Sequence, residues 1–143
     1  MIEAGAVIDM SGEVIHWHLP EGRTIGSIPD TRSLWDVVWE NRKRVLGFAH
    51  THPGSGIAAP SLIDLSTFTA WEQALKRPLH WWILTEDQTV CLFRLQGLEW
   101  HPLVYDGPGV HGFEYKRDHV TDLPWAAELR RLSGYRVLTI QSP

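Results

Sequence analysis

A mixed α/β domain, a sheet flanked by helices, is the fold class this sequence predicts. Three observations predict it. Short apolar runs of strand length alternate with two segments of helical period, in the order β-β-α-β-α-β-β. Clusters of Gly, Pro, Asp and Ser separate those runs where turns are required. No repeat, low-complexity tract or linker interrupts the 143 residues, a length that suffices for one domain with its own core. The expected organisation is one domain over 1–143, with a motif-bearing core at 1–95 and a C-terminal extension at 106–143 that the pattern leaves unassigned.

Residues 2–8 (IEAGAVI) read as a short buried strand, and Glu13–Leu19 (EVIHWHL) as its alternating partner across the turn Asp9-Met10-Ser11-Gly12. Residues 20–30 carry two prolines and two glycines and read as loop. Ser33–Arg44 has helical period: Ser33 and Asp36 make a capping box, Leu34, Val37 and Val38 form the inward stripe, and Arg42, Lys43 and Arg44 suit the negative end. A strand follows from Val45. A second helix is expected over Ser61–Lys76, with Leu65, Phe68, Glu72 and Leu75 at helical spacing and Pro78 beyond it. His80–Leu84 and Val90–Leu95 read as strands around the polar turn Thr85-Glu86-Asp87-Gln88. After Gly97 the pattern weakens. Trp100–Tyr105 reads as a further strand, and residues 106–122 have no clear period. Pro124–Ser133 reads as a short helix, capped near Asp122 or Leu123 and ended by Gly134. Residues 135–140 (YRVLTI) read as a final strand.

Composition narrows the function classes. Hydrophobic residues are 43% and charged residues 21%, as in ordinary soluble globular proteins. The net charge of -4 opposes a broad phosphate-binding face, so no nucleic-acid partner is expected. The run Leu79–Leu84 is far too short to span a bilayer, and MIEAGAVIDM has neither the basic region nor the apolar length of a signal peptide. A single cysteine, Cys91, allows no internal disulfide. The expectation is a cytoplasmic protein without a membrane partner. Eight tryptophans imply a dense aromatic core or an aromatic surface for a partner.

The chemistry concentrates in residues 45–64, VLGFAHTHPGSGIAAPSLID. His50 and His52 are two apart at the end of a strand, so both imidazoles leave the same face. Pro53 cannot donate to the ladder and stops it. A loop of small residues leads to Pro60-Ser61, a helix start with Ser61 as N-cap, and Asp64 lies one turn on, on the face of Ser61. Two imidazole nitrogens, a carboxylate and a hydroxyl therefore converge. Mixed nitrogen and oxygen ligands with one open position suit a catalytic zinc ion, whereas a structural zinc site is usually closed by cysteines.

This stretch resembles the JAMM (MPN) zinc metalloprotease family, whose motif is a glutamate on an early strand, then His-x-His-Pro, a loop, and Ser-x-x-Asp at a helix start. Here it reads His50-Thr51-His52-Pro53 and Ser61-Leu62-Ile63-Asp64. The likeness covers roughly residues 1–95. The loop from Pro53 to Pro60 has eight residues, one more than the family's usual spacing. The resemblance implies a cytidine-deaminase-like mixed sheet flanked by helices. It implies zinc on His50, His52 and Asp64, and Ser61 holding the water and the developing oxyanion. A glutamate would serve as general acid and base, either Glu3, in Glu3-Ala4-Gly5, or Glu13 on the second strand of the hairpin. The implied activity is hydrolysis of a peptide or isopeptide bond. The implied partner is a protein or peptide substrate, such as a ubiquitin-like or sulfur-carrier protein cut after a C-terminal Gly-Gly. Oligomeric state is not implied.

Other readings stand beside this one. Ser61 and Asp64 are also a capping box, and on that reading the cap and the metal compete for the Asp64 carboxylate. His16-Trp17-His18 is a second His-x-His without a following Ser-x-x-Asp. His80, His101, His111 and His119 read as surface or partly satisfied histidines, and Arg130 and Arg131 as a solvated helix face. A catalytically silent scaffold of the same fold is one alternative. A DNA-linked protein resembling the RadC family, which carries a similar motif, is another.

Overall fold

The computed structural model describes residues 1–54, 58–94, 104–106, 109–111, 115–119 and 123–135. The expected hairpin is β1 (Gly5–Asp9) and β2 (Val14–His18), paired antiparallel with Gly5 opposite His18 and Ile8 opposite Val14. Asp9 builds its turn. One carboxylate oxygen accepts from the hydroxyl and N–H of Ser11 and from the N–H of Glu13, an Asx arrangement that replaces missing backbone partners. The Ser11 hydroxyl, with those N–H groups, holds the Asp9 carboxyl below its usual range.

The first helix, α1, is Arg32–Glu40. The spacing puts its cap at Ser33, but the cap is Thr31, whose extended backbone turns into the helix and whose hydroxyl accepts from the Leu34 N–H at 3.1 Å. Ser33 is already inside the helix, so Ser33 and Asp36 form no capping box. The helix also stops before the basic residues. The Asn41 side chain and backbone N–H both bond to the Val37 carbonyl, closing the last turn.

β3 (Val45–Thr51) leads through α2 (Leu62–Leu75) to β4 (His80–Leu84), which lies parallel to β3. β5 (Thr89–Arg94) returns antiparallel. Three further strands follow: β6 (Val104–Asp106) and β7 (Gly109–His111) pair with each other, and β8 (Tyr115–His119) pairs with β5. The main sheet is mixed and has the order β2-β1-β3-β4-β5-β8. Residues 106–122 thus hold strands where the sequence has no clear period. β6 and β7 are three residues each, too short for alternation to register, and β8 (YKRDH) has no apolar alternation to mark it, so pairing with β5 defines it. α3 (Ala126–Ser133) ends at Gly134 as expected, but its N-cap is Trp125, without a side-chain cap bond, rather than Asp122 or Leu123. Of the strand expected at 135–140, Tyr135 is buried and follows α3 outside any strand, while residues 136–140, His101 and most of the strand expected at 100–105 lie outside the described residues.

The two faces of the sheet carry separate cores. α1 and α2 cover one, where Leu34, Val38, Leu65, Phe68 and Trp71 pack on Val7, Phe48, Trp81 and Ile83. α3 covers the other, where Trp125, Ala126 and Leu129 pack on Ala6, Ala49, Trp82 and Leu84. The adjacent Trp81 and Trp82 fall on opposite faces because strand side chains alternate. Trp81 stacks on Phe68 at 4.0 Å between centroids.

The parallel pairing of β3 and β4 depends on Gly47. A Cβ there would lie 1.7 Å from the His80 carbonyl oxygen, a backbone atom that cannot swing aside. Gly47→Ala is expected to cost about 3 kcal/mol or more, the upper end of overpacking effects. The check is the urea midpoint, which should fall at unchanged m-value.

Candidate metal centre

Alternation along β3 sorts its last residues. Phe48 and His50 face α2, and their rings stack at 6.1 Å. Ala49 and Thr51 face α3. β3 ends at Thr51, but the His52 N–H still reaches the Leu84 carbonyl at 2.8 Å, one bond beyond the strand proper. That bond keeps His52 in register, and the two imidazoles leave together as the i, i+2 spacing predicts. Their Nε2 atoms lie 2.7 Å apart with the rings nearly edge to face.

α2 brings the acid. Ser61 is its N-cap, and both capping-box bonds are made: Ser61 Oγ accepts from the Asp64 N–H at 3.1 Å, and Asp64 Oδ2 accepts from the Ser61 N–H at 2.8 Å. The same carboxylate puts Oδ1 3.2 Å from His50 Nε2 and Oδ2 3.0 Å from His52 Nε2. Cap and histidines therefore do not compete. A carboxylate has about four lone-pair sites on two oxygens, enough to accept the Ser61 N–H and face both rings. The capping box is what aims the carboxylate.

Three donor groups thus meet at separations of 2.7, 3.0 and 3.2 Å. A tetrahedron with zinc-ligand arms of 2.0–2.1 Å has edges of about 3.3 Å, so the set is tighter than that geometry, most of all between the two imidazoles, and would widen to take an ion, with one of the two Asp64 oxygens as ligand. Burial works to raise the Asp64 carboxyl, but the charge and hydrogen bond of His50, with the bonds from His52 and Ser61, outweigh it and hold the group below the ordinary carboxylate range. Asp64 is an anion here, at the positive end of α2. No lysine or arginine lines the surrounding cleft among the described residues. Two imidazoles and a carboxylate, with no lysine or arginine beside them among the described residues, make a donor set for a metal.

Glu3 completes the cluster. One of its carboxylate oxygens lies within 4.8 Å of ring nitrogens of both His50 and His52. The side chain is buried, and that burial pushes its carboxyl up to about 7, with His52 pulling it down and Asp64 pushing it further up. By proximity Glu3 could itself be a third ligand. Asp64 fits that role better, because both its oxygens touch the histidines and it stays ionised. Glu3 is the group here poised to gain and lose a proton near neutrality.

The backbone around Glu3 is well tied. Its N–H bonds to the Thr24 carbonyl at 2.7 Å, and its carbonyl accepts from Arg23 Nη1 at 3.1 Å. Gly5, opposite His50, takes the strand under the Phe48 ring: a Cβ there would lie 2.4 Å from Phe48 Cζ.

The centre opens into a cleft of two lobes, about 390 and 270 Å³. Ser27, Ile28, Ile63 and Asp64 border both. His52, Glu3 and Ser61 line the larger lobe, and His50 and Phe48 the smaller. Ile25 and Ile63 stand exposed on its two rims, at 53% and 78%. The 20–30 loop, expected only as a connection, forms one wall, pinned by the Gly54 N–H to the Ile25 carbonyl at 3.1 Å.

Other sequence candidates fall elsewhere. Glu13 is exposed at the far end of the β1–β2 hairpin, next to Val14, which pairs with Ile8, while Gly5 pairs with His50. His18 of the second His-x-His bonds through Nε2 to the Pro29 carbonyl at 2.7 Å. Burial lowers both His16 and His18. His80 is half-buried, with Nδ1 3.7 Å from Cys91 Sγ. Arg130 is not a solvated residue. Its guanidinium donates to the carbonyls of Thr85 and Gln88 and to the Thr89 hydroxyl, locking α3 to the β4–β5 turn, because α3 packs beside that turn. Arg131 is exposed and pairs with Glu128. Thr51, Ser133 and Arg23 were not sequence candidates. Alternation marks Thr51, which must face away from both histidines, but nothing local marks the other two.

A scan of protein-family models gives no match to this chain, and a search of curated proteins gives none either. Among the described residues no helix is long and apolar enough to cross a membrane.

Proposed function

We propose that this chain is a zinc-dependent hydrolase of peptide or isopeptide bonds, working in the manner of the JAMM proteases that its motif resembles. The observation that supports this reading is the convergence of His50, His52 and Asp64, with a buried, protonatable Glu3 beside them. The residues present fit zinc: two imidazole nitrogens and one anionic carboxylate would hold it. A zinc ion in that set polarises a carbonyl and brings the pKa of a water towards 7.

The rest belongs to the chain's own groups. Glu3, with a carboxyl near 7, takes a proton from the attacking water and passes it to the leaving amine. Ser61 lines the same lobe and accepts from the Asp64 N–H, which leaves its hydroxyl proton to donate to the tetrahedral oxyanion. The cleft runs past both histidines between apolar rims, a shape suited to an extended chain. Its acidic lining, Glu3, Asp30 and Asp64, opposes a nucleic-acid backbone.

The test is metal-free protein titrated with zinc and assayed on an unfolded protein substrate. One equivalent of zinc should bind, and cleavage should rise with occupancy and vanish with chelator. Binding of one equivalent without cleavage of any protein or peptide tested would favour a silent scaffold. No binding would remove the proposal.

A further inference from the structure

Both chain neighbours of Glu3 are gripped by one pair of buried hydroxyls. The Ala4 N–H donates to Thr51 Oγ1 at 2.9 Å, Thr51 and Ser133 hydroxyls meet at 2.8 Å, and the Ser133 hydroxyl donates to the Ile2 carbonyl. Proton counting fixes the direction. Ser133 gives its one proton to Ile2, so Thr51 gives its own to Ser133 and keeps its oxygen for Ala4. The result is a single relay, Ala4 to Thr51 to Ser133 to Ile2, closed by the backbone that carries Glu3. Two more bonds reinforce it: the Ile2 N–H to the Ser133 carbonyl at 2.9 Å and the Thr51 N–H to the Ala4 carbonyl at 3.0 Å. Arg23 bridges the carbonyls of Glu3 and Leu132.

We propose that Thr51 and Ser133 are positioning residues, and that α3 braces the general base against the metal centre. This rests on the hydrolase reading. Residues 2–4 precede β1, so no strand ladder fixes Glu3. Thr51, Ala4 and Ser133 are all essentially inaccessible, so a broken relay leaves buried polar atoms without partners instead of exchanging them for water. Thr51 lies between His50 and His52 at the end of β3 and faces the opposite side. The end of β3 and the residue after it thus carry the two histidines on one face and, on the other, the hydroxyl that sets the depth of Glu3. A displacement near 1 Å in such a constellation can cost about 10²-fold in rate. The C-terminal helix, whose role its sequence does not reveal, becomes part of the catalytic unit.

The test uses Thr51→Val, Thr51→Ser and Ser133→Ala in the full chain. Amide hydrogen exchange is read on metal-free protein, and kcat and KM with zinc. Thr51→Val and Ser133→Ala should speed exchange at residues 2–4 by more than about tenfold while β4 keeps its protection. They should lower kcat about 10- to 100-fold with KM and zinc stoichiometry unchanged, and Thr51→Ser should restore both. The two variants break the relay from opposite ends, so either one that folds decides. Unchanged exchange at residues 2–4 overturns the brace. Loosened exchange with unaltered kcat overturns its positioning role. If the wild type cleaves nothing, loosened exchange upholds the brace and only the hydrolase reading falls.

Discussion

Glu3→Gln should leave zinc binding intact and lower hydrolysis by about 10²–10⁴-fold, the usual worth of a positioned acid-base group. Glutamine keeps the size of the side chain, so the buried packing around residue 3 survives. What it removes is the exchangeable proton. Glu13→Gln should have no effect, because Glu13 sits at the far end of the hairpin. The same variant carries a stability signature without zinc. Burial raises the Glu3 carboxyl from 4.5 to about 7, so the folded chain binds its proton more tightly than the unfolded chain does. That contribution is whole below pH 4.5 and is lost as pH rises to about 7. Wild-type stability therefore declines across that window relative to Glu3→Gln, by about 3 kcal/mol at pH 8, from about 2.5 pKa units at about 1.36 kcal/mol each. Chemical denaturation of both proteins at pH 4.5 and pH 8, with chelator present, measures the difference. A parallel pH dependence would show that Glu3 is not held in the buried site.

Asp64→Ala should have a double effect, since one carboxylate both faces the two histidines of the proposed zinc site and caps α2. Zinc affinity should fall by more than about 100-fold, as losing an outer-shell partner alone typically costs 10–100-fold. In metal-free protein the lost capping box should cost about 0.5–2 kcal/mol. Asp64→Asn separates the two. Its amide oxygen can still accept from the Ser61 N–H, so most of the cap survives, but a neutral amide is a poor zinc ligand. The Asp64 carboxyl is held below its usual 3.8, so the stability it contributes is present above that pH and lost as pH falls below it. Asp64→Asn should abolish that acid-sensitive component. Isothermal titration with zinc, beside denaturation curves from pH 2 to 7, checks both effects. Zinc affinity unchanged in Asp64→Ala would take Asp64 out of the ligand set.

The sequence by itself determined whatever depends on spacing along one element. Alternation put His50 and His52 on one face and Trp81 and Trp82 on two. The Ser61–Asp64 interval made both capping bonds, and period fixed the central strands and α2. Tertiary structure decided what spacing cannot carry. The choice of Glu3 over Glu13 as the acid beside the histidines follows from the register of β1 on β3. The double use of Asp64 follows from where α2 docks, and the assignment of Thr31 as the α1 cap from backbone geometry at a loop exit. β8 exists as a strand because β5 offers it an edge, and its charged sequence, YKRDH, carries no apolar alternation to announce it. Thr51 and Ser133 are 82 positions apart, and Arg130 reaches back 45 to Thr85. Hydrogen bonds of that span leave no local period, because the residues they join have nothing in common until the chain is folded.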